Sequence, residues 1–273
     1  MKIAINKLHP FYNHPFKVID NAEMDDLVLS IKEQGILTPI IVRPLENTSD
    51  EFEIISGHRR YRAAQLLGKK EIEVSVRYVN RDEAAVMLVD SNLHRSRIVP
   101  SEKAFAYKMK LEAISHQGKA CGQVVHKSRD TVSNTDSGRQ VQRYIRLTKL
   151  IPQLLKMVDE ERIAFSVGVE LSYLDEYEQQ DLLEAIELED KTPSLSQAIQ
   201  MKKLSQSGRL DSKIIERIIS EDKPNQREKI SFQYDELSKY FPKCSPQEVQ
   251  RRMMKLAQAD YQSRVRNRNR EAR

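Results

Sequence analysis

Tryptophan is absent from the 273 residues, and there are only two cysteines, Cys121 and Cys244. Two cysteines cannot form a disulfide framework, and neither lies in a zinc-binding pattern, so a reducing compartment is expected. The most apolar stretch, 36–42, already contains Thr38 and Pro39, whereas roughly 20 apolar residues are needed to span a bilayer. The start of the chain also lacks the basic-then-apolar pattern of a signal peptide. We therefore expect a cytoplasmic protein without a membrane segment.

Charge is abundant, by contrast, and it is unevenly distributed. Lysine and arginine number 45 against 40 acidic residues, which gives a formal net charge of +5. Residues 159–190 contain twelve acids and one base, a charge of −11, which leaves +16 for the rest of the chain. With 8 glycines and 10 prolines, the composition is not that of a fibrous or low-complexity chain. The chain is therefore strongly basic apart from one acidic helical segment, and this charge favours an anionic partner.

Helical and strand patterns alternate over the first hundred residues, and helical spacing dominates after Ser101, the predicted N-cap of the next helix. The predicted helices of the first part are 23–34, 59–67 and 81–89, and its strands are 39–42, 51–55 and 71–78. These patterns predict an α/β N-terminal domain, an all-α helix-turn-helix domain and a small C-terminal helical unit, in a predominantly helical protein. The N-terminal domain is predicted at 1–98, the helix-turn-helix domain at 99–204, a linker at 205–228 and the C-terminal unit at 229–273.

A glycine joins a predicted strand to a helix at Ser56-Gly57, and that helix begins with His58, Arg59 and Arg60. The first turn of a helix presents unpaired N–H groups and a positive dipole end, and arginine adds paired donors for phosphate oxygens. The pattern is therefore typical of a phosphate site. The commoner alternative is that these arginines are solvated charges on a surface helix.

A second polar cluster occupies 90–95, at the end of a predicted helix. Its Asp, Ser and Asn oxygens are of the type that binds hydrated magnesium, and Arg95 could meet a phosphate. The alternative is a plain helix C-terminus with Asn92 as its cap.

The segment 130–149 predicts a short helix at 130–134, a tight turn at 135–137 and a second helix that buries Val141, Ile145 and Leu147. The other face of the second helix carries arginine and glutamine, the side chains that contact guanine and adenine in the major groove. The predicted DNA-binding residues are Ser137, Arg139, Gln140, Gln142, Arg143, Arg146 and Lys149, with Arg139, Gln140 and Arg143 reading bases and Ser137, Arg146 and Lys149 contacting phosphates. A solvated basic face is the alternative.

Four segments, in order between residues 9 and 107, resemble the N-terminal domain of the ParB family of partition proteins. They are HPFYNHPFKV, GILTPIIVRP, ISGHRRYRAAQLLG and LVDSNLHRSRIVPSEKAFAY. The segment 130–149 likewise resembles the helix-turn-helix of that family. In the family, a Gly-x-Arg-Arg segment binds the triphosphate of CTP and a Glu-Asn-x-x-Arg segment holds magnesium and phosphate. The resemblance therefore implies CTP and Mg as cofactors.

The resemblance assigns these roles to particular positions of this sequence. The implied cofactor-binding residues are Gly57, His58, Arg59, Arg60, Ser91, Asn92 and Arg95, with Asn92 as the metal ligand. The family usually has Glu at the positions of His58 and Ser91. A lost carboxylate weakens magnesium binding and hydrolysis unless Asp90 substitutes for it, so weak CTP hydrolysis stays open. Sulfiredoxin shares the fold superfamily, but residues 56–59 carry no thiol, which excludes its reaction.

The C-terminal unit is predicted to contain a helix from Pro246 to about Tyr261 and a basic tail. The unit is too short to bury much core alone, which favours pairing with a second copy. The resemblance implies a nucleoid-associated homodimer with double-stranded DNA and a ParA-type ATPase as partners. The tail either attracts DNA by charge or is a disordered, solvated segment. Its arginines are Arg264, Arg266, Arg268, Arg270 and Arg273.

Three functions follow as hypotheses. The first is a site-specific partition protein of the ParB type, a CTP-dependent DNA clamp that segregates plasmids, mobile elements or chromosomes. The second is a transcriptional regulator without a nucleotide switch, which Ser91 in place of Glu favours. The third is a nuclease, which would need clustered carboxylates such as Asp82, Glu83 and Asp90 around a metal.

Overall fold

The computed structural model of the chain describes residues 1–118, 132–133, 136–221 and 239–271, except 47, 49, 96, 97 and 243. These residues fall into two compact units, Met1–Glu221 and the described part of Asp222–Arg273. In the first unit, a small sheet and its helices are followed by a bundle of helices. The α/β class predicted for the N-terminal part is confirmed.

A five-stranded mixed sheet forms the centre of the N-terminal part. Its strands are β1 (Lys2–Ala4), β2 (Leu8–His9), β3 (Ile40–Pro44), β4 (Phe52–Ser56) and β5 (Glu71–Val76). The strand order is β1-β5-β3-β4-β2. Strand β3 pairs antiparallel with β4 and parallel with β5. Their alternating apolar residues, including Ile40, Val42, Ile54 and Val74, are at most 2% exposed and form the core under the sheet.

Three helices cover this sheet and seven further helices follow. They are α1 (Ala22–Gln34), α2 (His58–Leu66), α3 (Arg81–Leu93), α4 (Pro100–Gly118), α5 (Gly138–Leu147), α6 (Pro152–Asp159), α7 (Phe165–Leu171), α8 (Glu176–Glu189), α9 (Leu195–Gln206) and α10 (Ser212–Ser220). An eleventh described helix, α11 (Pro246–Glu271), belongs to the second unit. Gly35, with φ of 76°, follows the last residue of α1, and its N–H donates to Ile31 O at 3.1 Å. In the described part of the chain, no helix has the length and apolar character needed to cross a membrane.

The structure differs from the predicted boundary at 98/99. Helix α4 does not begin a separately packed domain, because Ala106 and Ala113 lie in the same buried cluster as Phe11, Phe16 and Leu88. The sequence around residue 98 is polar, but the alanines on α4 allow α3 and α4 to pack closely. The part that contains the sheet and the helical part that follows it are therefore joined by a common core.

Helix α4 also begins differently from its prediction. It starts at Pro100, so Ser101 lies inside the helix and is not its N-cap. The backbone N–H of Ser101 donates to Asp159 Oδ1 at 2.8 Å, and its hydroxyl donates to Asp159 Oδ2 at 2.5 Å. A carboxylate from the end of α6 thus binds the first turn of α4.

The predicted linker at 205–228 contains helix α10, which the structure places in the main helical core. Ile215, Ile218 and Ile219 are at most 2% exposed and pack in the cluster that contains Leu182 of α8. Their spacing gives α10 one apolar face, and burial of that face holds the segment in the fold. The rest of the predicted linker, 222–228, lies outside the described residues.

In the second unit, α11 begins with a capping box. The N–H of Ser245 donates to Glu248 Oε2 at 2.8 Å, and the N–H of Glu248 donates to Ser245 Oγ at 3.3 Å. The helix continues to Glu271, beyond the end predicted near Tyr261. The arginine-rich segment that follows Tyr261 is therefore helical as far as Glu271, because the sequence there lacks glycine and proline breakers.

Candidate anion cleft and nucleic-acid interface

A cleft of about 400 Å³ lies where helices α1, α2 and α3 meet beside strand β4. It brings together the cofactor-binding residues predicted from the sequence, although they come from segments more than thirty residues apart. Its lining includes Gly57, His58, Arg59, Arg60, Ser91, Asn92 and Arg95. Three further lining residues, Glu23, Leu27 and Ser56, were not predicted from the sequence. Glu23 and Leu27 come from α1, whose helical pattern alone does not indicate which face meets a cleft.

The start of helix α2 presents backbone donors to this cleft. Gly57 stands at the N-cap with φ of 102°, and no described side chain caps the first turn. A Cβ atom on Gly57 would lie 3.1 Å from Arg60 Nη2 and 3.2 Å from Ile40 Cγ1. The backbone conformation and the close packing therefore both require glycine here. The N–H groups of the first turn remain for an anion.

The arginines of the cleft have different surroundings. Arg60 donates from Nη1 to the carbonyls of Thr38 and Pro39, the latter at 3.2 Å, so its guanidinium holds the segment that enters β3. Burial lowers the pKa of Arg60. Arg59 is 37% exposed, and its Nη1 lies 3.4 Å from Glu23 Oε2. Arg59 is thus a more available phosphate donor than Arg60, a difference that the paired arginines in the sequence do not reveal.

Arg95 adds a third guanidinium to the cleft, from the segment that follows α3. Its Cζ lies 5.6 Å from the ring centre of Phe16, which supports the side chain from one face. Burial lowers the pKa of Arg95, the carboxylate of Glu102 opposes that shift, and the charge of Arg59 adds to it. The positive charges of Arg59 and Arg95 together make this part of the cleft electropositive, and a bound anion stabilises such a site.

His58 is buried and cannot serve as a cationic phosphate ligand near neutral pH. Its Nε2 accepts the N–H of Phe11 at 3.3 Å, and its ring stacks on His14 with 3.8 Å between ring centres. Burial lowers the pKa of His58 to about 3, with further lowering by His14 and Arg95. Because Nε2 accepts, the proton of the neutral ring lies on Nδ1. His58 is therefore a neutral donor in the lining of the cleft.

Asn92 is 5% exposed and lies within α3, so the alternative that it caps the helix is wrong. Its Nδ2 donates to Leu88 O at 2.8 Å and to Ser91 Oγ at 3.3 Å. A carbonyl only accepts, so this contact fixes Nδ2 towards the helix and leaves Oδ1 as the remaining polar atom. Asp90, the predicted substitute for the lost carboxylate, instead binds Lys110 Nζ at 2.5 Å and does not line the cleft.

The predicted reading helix is present as α5. Ser137 is its N-cap and accepts the N–H of Gln140 at 3.3 Å, so the serine hydroxyl already has a structural role. Arg139 and Lys149 are exposed, whereas Gln142 is half-buried. Arg143 donates from Nη1 to Gln140 Oε1 at 3.2 Å, which places these two predicted base-reading side chains together. The basic face is thus present, with Arg139 as its most accessible residue near the N-terminus.

The first helix of the predicted helix-turn-helix is not formed at Val132 and Ser133, which are non-helical, while 130, 131, 134 and 135 lie outside the described residues. The Ser133 hydroxyl accepts the N–H of Asp136 at 3.0 Å. This local bond competes with helical pairing. Val132 is buried with Val141 of α5, and this contact still anchors the segment.

A charged network fixes the start of α5. Asp136 Oδ2 lies 2.5 Å from Lys103 Nζ and accepts the hydroxyl of Tyr107 at 2.5 Å. The Tyr107 hydroxyl oxygen also lies 3.1 Å from Ser133 Oγ, within hydrogen-bond distance. Lys103 lies 4.7 Å from the ring centre of Tyr144. Lys103 and Tyr107, one turn apart on α4, were not predicted, because their partner Asp136 is about thirty residues away.

Near its other end, α5 is held by one of its own arginines. Arg146 donates from Nη2 to the carbonyl of Ser172 at 2.6 Å, and its Cζ lies 3.9 Å from the ring centre of Tyr173. Lys202 lies 3.6 Å from the same ring centre. The predicted phosphate contact Arg146 therefore holds α5 against the residues that follow α7. Lys149, just beyond the helix, is exposed.

The acids named for a nuclease do not converge. Asp82 lies 3.3 Å from His116 Nδ1, Glu83 forms the capping box of α3 with Asn80, and Asp90 pairs with Lys110. Among the residues that the structure describes, no three histidine, cysteine or acidic side chains cluster as a metal site. The nuclease hypothesis gains no support.

Comparison with known proteins agrees with this geometry. Residues 1–93 match the family model of the ParB N-terminal domain. A nucleoid occlusion protein of Geobacillus is 36% identical over 133 residues, 49% of this chain and 47% of that protein. A probable chromosome 1-partitioning protein ParB of Deinococcus radiodurans is 36% identical over 165 residues, 60% of this chain and 52% of that protein. The chain thus spans about half the length of these relatives.

Among solved structures, a C-terminally truncated chromosome-partitioning protein ParB from Caulobacter crescentus, complexed to the centromeric parS site, matches with a TM-score of 0.43 and 20% identity. The match covers 80% of this chain and 98% of that chain. Residues 1–93 therefore contain a ParB N-terminal domain, and the chain is similar to the nucleoid occlusion and ParB proteins named above over 49–60% of its length.

Proposed function

We propose that this protein is a site-specific, DNA-binding partition protein of the ParB type whose cleft binds CTP with Mg²⁺. The observation that carries the proposal is the convergence of Gly57, Arg59, Asn92 and Arg95 in one cleft. Arg59, Arg95 and the uncapped first turn of α2 bind the phosphates. The metal, when bound, neutralises phosphate charge, and this chain's Asn92 and Ser91 supply oxygens for it.

The cleft lies next to the helices that carry the proposed DNA interface. A second cleft of about 650 Å³ shares Arg59 and Arg95 with the first and extends to Pro100, Glu102 and Asp159 of α4 and α6. Glu102 Oε1 also accepts the N–H of Lys17 at 2.8 Å. A nucleotide on the two arginines therefore alters the charge balance at the start of α4, the helix that positions Asp136 and the reading helix. This proximity supports a nucleotide-dependent clamp.

A nucleotide panel tests the cleft. Melting temperature is measured with CTP, UTP, ATP and GTP in magnesium, on the wild type and on Arg59→Ala and Arg62→Ala. Arg62 is the matched control, because it lies on the same helix but pairs with Asp20 outside the cleft, at 2.6 Å. We expect CTP to raise the melting temperature of the wild type and of Arg62→Ala, but not of Arg59→Ala. A shift retained in Arg59→Ala removes that residue from the site.

Selection from a pool of random DNA duplexes tests the interface. The retained duplexes are sequenced, and their affinity is measured over a range of salt for the wild type, Arg139→Ala and Arg162→Ala. Arg162 is an exposed arginine in the acidic segment and controls for net charge. We expect enrichment of a palindromic site and a loss of affinity in Arg139→Ala alone, by about 1–3 kcal/mol if it reads a base. Equal affinity for all duplexes contradicts site-specific recognition.

The transcriptional-regulator alternative shares the reading helix but has no nucleotide switch. It is distinguished by DNA retention: duplexes closed at both ends are challenged with high salt, with and without CTP. Retention that depends on CTP and on Arg59 supports the clamp. Identical dissociation with and without CTP favours the regulator. Orthophosphate release in the same reactions tests whether CTP is hydrolysed.

A further inference from the structure

A carboxylate from α1 stands among the arginines of the cleft. Glu23 lines the cleft with Arg59, Ser91 and Asn92, and its Oε2 lies 3.4 Å from Arg59 Nη1. It is the only carboxylate in the lining of this cleft within the described residues. Its side chain is 75% exposed. An acidic group in this place repels a bare polyphosphate, because both are anions.

The oxygens opposite Glu23 lie on α3. Asn92 turns Nδ2 towards Leu88 O, which leaves Oδ1 as its free polar atom, and Ser91 Oγ donates to the same carbonyl at 2.9 Å while keeping lone pairs. Carboxylate, amide and hydroxyl oxygens are the protein ligands that Mg²⁺ takes, with phosphate oxygens and waters completing its shell. Asp90 is paired with Lys110 and lies outside the cleft lining, so it cannot supply this carboxylate.

We infer that Glu23 is the carboxylate that faces the divalent cation in this protein, and that it exchanges Arg59 for the metal when the nucleotide enters as its magnesium complex. The inference deepens the proposed function and rests on it. In the structure, Glu23 neutralises Arg59. In the loaded site, Mg²⁺ neutralises Glu23, and Arg59 is released to bind phosphate. Glu23 thus makes the cleft select the metal complex over free nucleotide.

The two roles of Glu23 predict effects of opposite sign. In Glu23→Gln with MgCl₂, loss of the carboxylate weakens CTP binding, by roughly fivefold or more. In Glu23→Gln with EDTA, loss of the repulsion strengthens binding of metal-free CTP, by roughly threefold for a solvent-exposed charge. The magnesium concentration that gives half-maximal CTP binding also rises in the variant.

Isothermal titration of the full chain with CTP, in MgCl₂ and separately in EDTA, measures both effects. Asp25→Asn is the matched control, because Asp25 lies in the same first turn of α1, is exposed, and does not line the cleft. Glu23→Asp keeps the carboxylate and is expected to keep most of the magnesium dependence. Melting curves without ligand verify that each variant is folded.

The outcomes separate the inference from the function on which it rests. Opposite changes in Glu23→Gln, with Asp25→Asn unchanged, support the inference. Tighter binding in both buffers shows that Glu23 is only a counter-ion of Arg59, and unchanged binding in both shows that it has no role; either result overturns the inference while CTP binding by the wild type stands. No CTP binding by the wild type refutes the proposed function, and the inference falls with it.

Discussion

Acidification is expected to destabilise the N-terminal part through one buried histidine. Burial, the neighbouring His14 ring and the charge of Arg95 lower the pKa of His58 from 6.5 to about 3. Protonation therefore favours the unfolded chain, in which the imidazole is solvated. Neutral His58 contributes its full stability when the pH is above its pKa in the unfolded chain. That stability is lost as the pH falls from this unfolded pKa towards the pKa of His58 in the folded protein.

The size of the effect follows from the two pKa values. Because pH 5 lies well above the pKa of His58 in the folded protein, the loss of stability at pH 5 depends only on its pKa in the unfolded chain. That pKa is 6.5, and the difference of 1.5 pH units corresponds to about 2 kcal/mol of unfolding free energy. Burial lowers the pKa of His14 as well, which acts in the same direction. The predicted loss of stability therefore begins in the mildly acidic range below about pH 6.5, before the carboxylates titrate, and continues towards pH 3.

Urea denaturation between about pH 7.5 and pH 5 measures this loss on the wild type and two variants. His58→Gln retains an acceptor for the N–H of Phe11 but cannot titrate, so its free energy of unfolding should fall by about 2 kcal/mol less than that of the wild type. His94→Gln is the control, because His94 is exposed. Equal pH dependence in the wild type and His58→Gln would refute the reasoning.

Three further substitutions test the packing around α5 by urea denaturation. In Gly168→Ala, a Cβ atom would lie 2.8 Å from Val158 Cγ2, so we expect a loss of about 1–3 kcal/mol, and unchanged stability would mean that α7 shifts at no cost. Asp136→Ala leaves the hydroxyl of Tyr107 without its short bond and should cost about 1–3 kcal/mol, whereas a neutral result would show that the network is replaced by water. Arg146→Ala should also lower stability, by about 1–2 kcal/mol; if it weakens only DNA affinity, its phosphate role is the correct one.

Local signals were enough to predict most of the elements. The helical spacing that ends at Gly35 predicts α1, and the alternating residues of β5 predict a strand with one buried face. Segment 54–68 predicts a strand, a glycine and a helix, and the structure forms β4, Gly57 and α2. These features depend on neighbours along the chain, which the sequence displays directly.

The features that escaped prediction depend on distant partners. Arg60 and Arg146 look like free cations in the sequence, but each binds backbone carbonyls more than twenty residues away. Glu23 looks like an ordinary first-turn acid, and only the meeting of α1 with α3 places it in the cleft. His58 resembles a solvated residue at a helix start, yet tertiary packing buries it against His14. Residue type indicates the chemistry of these side chains, but it does not indicate which of them already bind another part of the chain.

The hydrogen bonds from the first turn of α4 to the Asp159 carboxylate also determine where the chain can be shortened. Ser101 finds its acceptor only after 58 further residues have been added and α6 has docked. A fragment that stops after the family-matched domain, or anywhere before residue 159, leaves those donors without this partner. During synthesis, the start of α4 therefore gains these hydrogen bonds only after residue 159 has been made. In limited proteolysis of shortened chains, we expect the first cleavage at the start of α4. A fragment ending at residue 221 keeps the contact and is the natural unit for separate study.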